Sequence, residues 1–192
     1  MYEAELATLR CFQVKDEATD ADFVSLRGNK AVLLGNLGRH EEALRLRREV
    51  YAKTLDRCGP SHQVTLQTAE HLSQSLFYTS KLAEAKELLL ESIPKAQASL
   101  GDDSFWTLRL RSSYGRVLRK LGSVGEAEAT LTDILRRGRR TLGDSHPLVQ
   151  DVANELDELR IGHSDSSEQA ALAALAFVAA VAFLVGRRYL RR

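Results

Sequence analysis

The chain has 192 residues, of which 44% are hydrophobic and 28% charged, enough apolar material for a folded domain with a buried core. Its formal net charge is +1, so the overall charge does not favour nucleic acid as a partner. Cys11 and Cys58 lie far apart and lack the spacing of metal ligands, which favours free thiols in a cytosolic domain. The acidic N-terminus has no apolar segment typical of a secretory signal.

Apolar residues recur three and four positions apart along most of the chain, which predicts amphipathic helices. In chain order we predict a lone helix over residues 2–15, then helix pairs starting near residues 22, 64 and 106. Each unit has the form helix, short turn, helix, longer turn. A polar helix over residues 145–160 is expected to close the array, because a solenoid needs a polar cap. The predicted solenoid therefore covers residues 1–160.

Two sets of landmarks repeat with a period of 42 residues. The segments GRHEEA, SKLAEA and GSVGEA start at Gly38, Ser80 and Gly122, and a second set of turns contains Gly59, Gly101 and Gly143. Small residues at two equivalent places in each unit are expected to let paired helices approach closely. These positions, with the leucines beside them, are Ala31, Ser73, Gly115, Ala43, Ala85, Ala127, Leu34, Leu76 and Leu118.

This pattern of small residues and leucines resembles the tetratricopeptide repeat. The 42-residue period and the LGDSHP-type turn are similar to the kinesin light chain and nephrocystin-3 subtype of that family. The resemblance implies an all-α, right-handed superhelical solenoid of antiparallel helix pairs. Arg27 and Arg111 depart from the family pattern because an aromatic residue is usual there, and Arg47 departs because an apolar residue is usual.

The resemblance also implies a peptide-binding groove lined by the first helix of each pair. Asn29 matches an asparagine that contacts the ligand backbone in the family, and His71 and Ser113 are its equivalents in the next two units. Arg109, Arg116 and Lys120 share one helical face, which favours an acidic peptide or a C-terminal carboxylate, unless they form only a solvated stripe. The candidate groove residues are Asn29, Asn36, Gln67, Gln74, Tyr78, Arg109, Arg116 and Lys120.

The stretch GDSHPLV contains Asp144, Ser145 and His146, the residue types of a hydrolytic triad. Its equivalents in the other units keep a glycine and a capping residue, which favours a structural turn over an active site. We therefore predict Ser145 as the N-cap of the last helix, with His146 and Pro147 in its first turn. Neither an enzyme nor a small-molecule substrate is expected.

The histidines and the basic run are also interpreted as structural or solvent-exposed residues. The scattered histidines have no metal-ligand spacing, so neither a metal nor another cofactor is expected. The basic run over Arg136–Arg140 is interpreted as a solvated outer face and not as a nucleic-acid site.

The C-terminal segment has a different composition. Residues 161–169 form a polar linker, and residues 170–186 contain no charged side chain and are near the lower length limit for a membrane span. A basic tail over residues 187–192 follows, with arginines that could lie at lipid head groups. This arrangement resembles a tail anchor facing the cytosol, with the mitochondrial outer membrane or the peroxisome as the expected membrane.

The sequence therefore predicts an adaptor that binds a partner protein or peptide in a concave groove and is held at a lipid bilayer by residues 170–186. The alternative is a soluble adaptor, similar to kinesin light chain, or a fragment of one, in which the C-terminal helix packs on the solenoid.

Overall fold

The computed structural model describes the backbone of residues 20–162 and the side chains of residues 24–162. The helix predicted over residues 2–15 and the segments predicted over residues 163–192, including the membrane segment at 170–186, lie outside the described residues. Within residues 20–162 the regular structure is entirely helical. No helix in that range is long and apolar enough to cross a membrane.

The described helices form three consecutive pairs followed by one further helix. The pairs are α1 (Asp20–Asn36) with α2 (His40–Cys58), α3 (Gln63–Tyr78) with α4 (Leu82–Leu100), and α5 (Phe105–Lys120) with α6 (Val124–Leu142). The last helix, α7, begins at residue 147, two residues later than predicted, and continues to residue 162, the last residue that the structure describes. Each helix packs against the next, and α3 also packs directly against α5. The first helices of the second and third pairs therefore lie side by side.

The short turn within each pair has the same hydrogen bond in all three units. The amides of Arg39, Lys81 and Ser123 donate to carbonyls five residues earlier, at 2.8, 2.8 and 3.0 Å. Gly38 and Gly122 have φ values of 75° and 82° in these turns, whereas Ser80 has a φ of 60° at the equivalent position. Ser80 is thus a non-glycine residue in the left-handed region, which the sequence comparison alone did not indicate.

The longer turn between pairs requires glycine more strictly. Gly59, Gly101 and Gly143 have φ between 81° and 91°, with ψ of 168°, 159° and 159°. Positive φ combined with extended ψ is a conformation almost confined to glycine. The sequence predicted a left-handed residue here. The sign of φ is as predicted, but ψ lies outside the left-handed helical region.

The helix that follows this turn is capped one residue later than predicted. His62, Ser104 and His146 are the N-caps, and they lie at equivalent positions 42 residues apart. His146 Nδ1 accepts from the amide of Leu148 at 3.2 Å, and Pro147 is the first helical residue. The prediction that Ser145 caps α7 is wrong, because the ring nitrogen of His146 reaches the free amide and Ser145 is exposed in the turn.

The core confirms the repeat positions chosen from the sequence. All nine of the small residues and leucines named above are buried. Helices α5 and α6 approach so closely that a Cβ added at Gly115 would lie 2.9 Å from Leu131 Cδ2. Small side chains at the helix crossings therefore set the distance within each pair.

Two of the departures from the family pattern are compensated by ion pairs. Arg27 on α1 pairs with Glu49 on α2, and Arg111 on α5 pairs with Asp133 on α6 at 2.7 Å. The two partners are themselves 84 residues apart, which is twice the repeat period. A charged pair thus occupies the place where an aromatic side chain is usual.

Candidate functional site

An open cleft of about 550 Å³ lies between α1, α2 and α3. It exists because α1 and α3 do not pack closely against each other, in contrast to α3 and α5. Val32 and Val50 belong to its apolar walls, and its cationic side chains are Arg47, Lys53 and Arg57. No aspartate or glutamate is among the described residues that line it. The cleft therefore combines apolar surface with positive charge.

The cleft contains some of the groove residues predicted from the sequence. Asn29 on α1 and Gln67 on α3 line it, together with His71, the equivalent of Asn29 in the next unit. Asn36, at the end of α1, is exposed and lies outside the cleft lining. The first two units thus bring one pair of equivalent polar residues into a single cavity.

Arg47 forms part of the cleft wall and was not among the predicted site residues. Its Nη1 donates to the carbonyl of His71, and the same atom lies 3.5 Å from Gln74 Oε1. Burial lowers the pKa of Arg47, and the charge of Glu70 opposes this effect; a guanidinium stays cationic at neutral pH. The equivalent residues are Leu89 and Leu131, so the arginine is particular to this unit. An arginine among leucines was the sequence signal for this site.

A second polar cluster is centred on Glu70, where α3 packs against α5. The Glu70 side chain is fully buried, and its Oε1 accepts from Gln74 Nε2 at 2.7 Å and from Ser113 Oγ at 3.0 Å. Arg109 Nη2 lies 3.2 Å from the same oxygen. His71 Nε2 lies 3.8 Å from Oε2. One buried carboxylate therefore gathers the side chains of two predicted groove residues, Gln74 and Arg109.

His71 connects the cluster to the cleft. Burial lowers the pKa of this imidazole; the Glu70 charge raises it, and the charges of Arg47 and Arg109 lower it further. Because the pKa is lowered from a value already below neutrality, His71 is uncharged at pH 7. Its ring also contacts Trp106 edge-on, with the centroids 6.1 Å apart.

The remaining predicted residues lie toward the far end of α3 and α5. Arg116 lies 3.4 Å from Ser113 Oγ and 5.9 Å from the centre of the Phe77 ring. Lys120 is exposed. Tyr78 is also exposed, and it stacks on His40 with the ring centroids 5.5 Å apart. Arg109, Arg116 and Lys120 thus share a helix but not a common environment.

The residues considered as a hydrolytic triad have separate partners. Asp144 pairs with Arg139 at 2.9 Å, and His146 Nδ1 accepts the Leu148 amide. Neither group is hydrogen-bonded to Ser145 in the part of the chain that the structure describes. This geometry is that of a helix start and not of an activated nucleophile.

The basic run on α6 is also engaged in ion pairs. Arg136 pairs with Asp133 at 2.6 Å, Arg137 with Asp103 at 2.8 Å, and Arg140 with Asp103. These contacts join α6 to the turn before α5. The arginines therefore lie beside carboxylates, which fits the predicted solvated outer face.

Comparison with known proteins agrees with this repeat geometry. The model of the tetratricopeptide repeat family matches twice in succession, at residues 65–105 and 107–148. Residues 65–148 therefore consist of two tetratricopeptide repeats. The two matches correspond to the second and third helix pairs, and their boundaries lie close to the starts near residues 64 and 106 that the sequence predicted.

Solved structures that resemble this chain in fold include kinesin light chain-like repeat proteins. Two crystal structures of a Podosopora anserina protein, with nearly identical TPR-like repeats and named for kinesin light chain, are 21% and 20% identical, with TM-scores of 0.67 and 0.69. The matches cover 77% and 79% of this chain and 70% and 71% of those chains.

A third structure, BtubC (BKLC) from P. vanneervenii, is 17% identical with a TM-score of 0.65, and the match covers 85% of this chain and 65% of that one. In fold, the repeats are thus of the kinesin light chain-like type. A search of curated proteins finds no match.

Proposed function

We propose that this protein is an adaptor that binds a partner peptide in the cleft between α1, α2 and α3. The observation that carries the proposal is the cleft itself, an open cavity of about 550 Å³ lined by residues of α1, α2 and α3. Polar side chains that can bond a peptide backbone, Asn29 and Gln67, stand among apolar walls there. Protein recognition is the function that tetratricopeptide repeats support.

The partner we propose is an acidic peptide that also carries aliphatic side chains. Arg47, Lys53 and Arg57 give the lining positive charge, and the valines offer apolar contact. Arg47 is only partly exposed, so a carboxylate that reached it would form a charge-assisted hydrogen bond shielded from water. Asn36, Gln74, Tyr78 and the α5 cations would extend the same concave surface.

A peptide array tests this proposal. Each acidic peptide is paired with a version in which asparagine and glutamine replace its acids. We expect Arg47→Leu to weaken binding of the acidic peptides by about tenfold or more, since a hydrogen bond to a charged group contributes about 1.5–3 kcal/mol. Leucine is the residue at both equivalent positions, so the repeat can accommodate it.

Arg45→Leu is the matched control, because Arg45 is exposed on the same helix and does not line the cleft. It removes the same charge and should leave binding within about twofold. Equal losses of peptide binding in the two variants would show that binding responds only to the net charge of the protein. Absence of binding by any peptide would overturn the adaptor proposal.

We also propose that residues 170–186 attach the protein to a membrane, either the mitochondrial outer membrane or the peroxisome. The support is the sequence: a run without charges, followed by arginines in residues 187–192. Alkaline carbonate extraction of the tagged full chain tests it, with a variant lacking residues 170–186 as the control. Release of the full chain into the soluble fraction would favour the alternative of a soluble adaptor.

A further inference from the structure

Glu70 is a buried charge whose presence the repeat does not require. Its side chain is fully buried between α3 and α5, yet the equivalent positions in the other units hold Gly28, Ser112 and Asn154. Gly28 and the buried Ser112 show that a small or neutral residue can occupy this repeat position in the chain. Since transferring a carboxylate from water to a protein interior costs free energy, its retention here needs a compensating interaction.

That compensation comes from the side chains that would otherwise face a ligand. Gln74 and Arg109 are candidate groove residues, and both direct their polar atoms at Glu70 Oε1, at 2.7 and 3.2 Å. Ser113 donates to the same oxygen and lies within 3.4 Å of Arg116. Oε2 has no hydrogen-bond partner among the described residues. The second and third units thus carry an internal anion at the place where their arginine could receive an external one.

We infer that Glu70 is a built-in counter-ion that occupies Arg109 and so directs an acidic ligand away from α5 and toward Arg47. This inference rests on the proposed binding function. Under this inference the concave surface has two parts that differ in their affinity for acidic ligands. Arg109 lies 3.2 Å from the Glu70 carboxylate, whereas Arg47, on which the Glu70 charge also acts, forms no ion pair with a carboxylate among the described residues. Glu70 acts through Arg109 and is therefore a specificity-determining positioning residue.

The test is Glu70→Gln, which keeps an oxygen acceptor for Gln74 and Ser113 and removes only the charge. The probes are a labelled peptide alternating leucine with aspartate and its counterpart with asparagine in place of each aspartate. We expect the acidic probe to bind the Glu70→Gln variant roughly fivefold more tightly than it binds the wild type. The reason is that the substitution releases Arg109 from a partly exposed ion pair, so its charge can interact with the probe. Binding of the asparagine probe should not change.

A second substitution locates the effect at Arg109. Arg109→Gln should abolish the gain in affinity for the acidic probe when it is combined with Glu70→Gln. Glu91→Gln is the matched control, because Glu91 is an exposed carboxylate on α4 that pairs with Lys95. It makes the same change in net charge and should not raise the affinity.

The inference is overturned if Glu70→Gln and Glu91→Gln affect the acidic probe equally, or if the gain of Glu70→Gln persists when Arg109→Gln is added. Either result would leave the adaptor function intact, provided that array peptides still bind. If no peptide binds either the wild type or Glu70→Gln, the adaptor proposal fails together with the inference. Far-ultraviolet circular dichroism and urea unfolding of each variant show whether its helices are retained.

Discussion

At the scale of single residues, the turns between helix pairs depend on two positions with different requirements. The glycine needs a backbone conformation that other residues avoid, whereas the residue three positions later needs only a side-chain acceptor within reach of a free amide. That explains why the second position varies between His62, Ser104 and His146 while its role stays the same. The histidine ring at position 146 also contacts Phe105, with the centroids 5.7 Å apart.

A pair of alanine substitutions tests which residue caps α7. We expect His146→Ala to lower the free energy of unfolding by about 1 kcal/mol, the usual effect of losing an N-cap acceptor. Ser145→Ala should change it by no more than about 0.5 kcal/mol, because Ser145 is exposed and does not cap the helix. Urea unfolding at neutral pH measures both. A larger loss for Ser145→Ala would contradict the assignment.

At the scale of helices, ionic contacts hold paired helices together where the family usually has an aromatic residue. Asp133 on α6 receives hydrogen bonds from Arg111, Arg136 and Arg137. Burial alone would raise the pKa of Asp133, but these three guanidinium groups outweigh it and hold the pKa far below its ordinary value. The carboxylate therefore links α5 to α6 in its ionised form.

This contact makes stability depend on pH with a defined sign. A carboxyl whose pKa is lower in the folded state stabilises the fold above its unfolded pKa of about 3.9 and loses that effect as the pH falls toward the folded value. We expect Asp133→Asn to cost about 1–3 kcal/mol at pH 7, since hydrogen bonds to charged groups are lost.

The cost of Asp133→Asn should shrink steadily below about pH 4, because residue 133 of the unfolded wild type then binds a proton that the folded carboxylate does not yet accept. Urea unfolding across that range measures the difference. Glu87→Gln, at an exposed position on α4, is the control and should show no such trend. If the loss of unfolding free energy were independent of pH, the shape of the side chain at residue 133, and not its charge, would stabilise the fold.

At the scale of the whole molecule, the core is a row of linked clusters and has no single centre. One cluster contains Leu44, Leu76 and Leu110, on α2, α3 and α5, and the next includes Leu131 on α6 and Leu156 on α7. Each helix stabilises mainly its neighbours, as expected for a solenoid. Helix α7 covers the apolar face that the third pair would otherwise expose.

We expect Leu156→Ala to destabilise the described domain by about 2–5 kcal/mol, because its side chain is only 2% exposed and fills the cluster between α5, α6 and α7. Asn154→Ala, at an exposed position on the same helix, should stay within about 0.5 kcal/mol of the wild type. Urea unfolding measures the loss, and hydrogen exchange should show it first in α7. Equal effects would mean that α7 does not close the core.

The sequence predicted those features that repeat. The 42-residue period located the helix pairs, and the burial of Ala31, Ser73 and Gly115 follows from their equivalence. Prediction was weaker where one unit differs from the others. The sequence predicted Ser145 as the cap because serine is a common capping residue, and local preference cannot show which acceptor lies nearer the amide.

What the sequence determined by itself is the repeat, since spacing and small residues at helix crossings are local properties that recur along the chain. Only the tertiary structure decided which polar residues of the predicted groove contact one another and which line the cleft. Glu70 and Arg109 are 39 positions apart and meet because α3 packs on α5, whereas the cleft beside Arg47 exists because α1 and α3 do not pack closely. Ion pairing depends on distances of a few ångströms between side chains on different helices, and periodicity does not specify those distances.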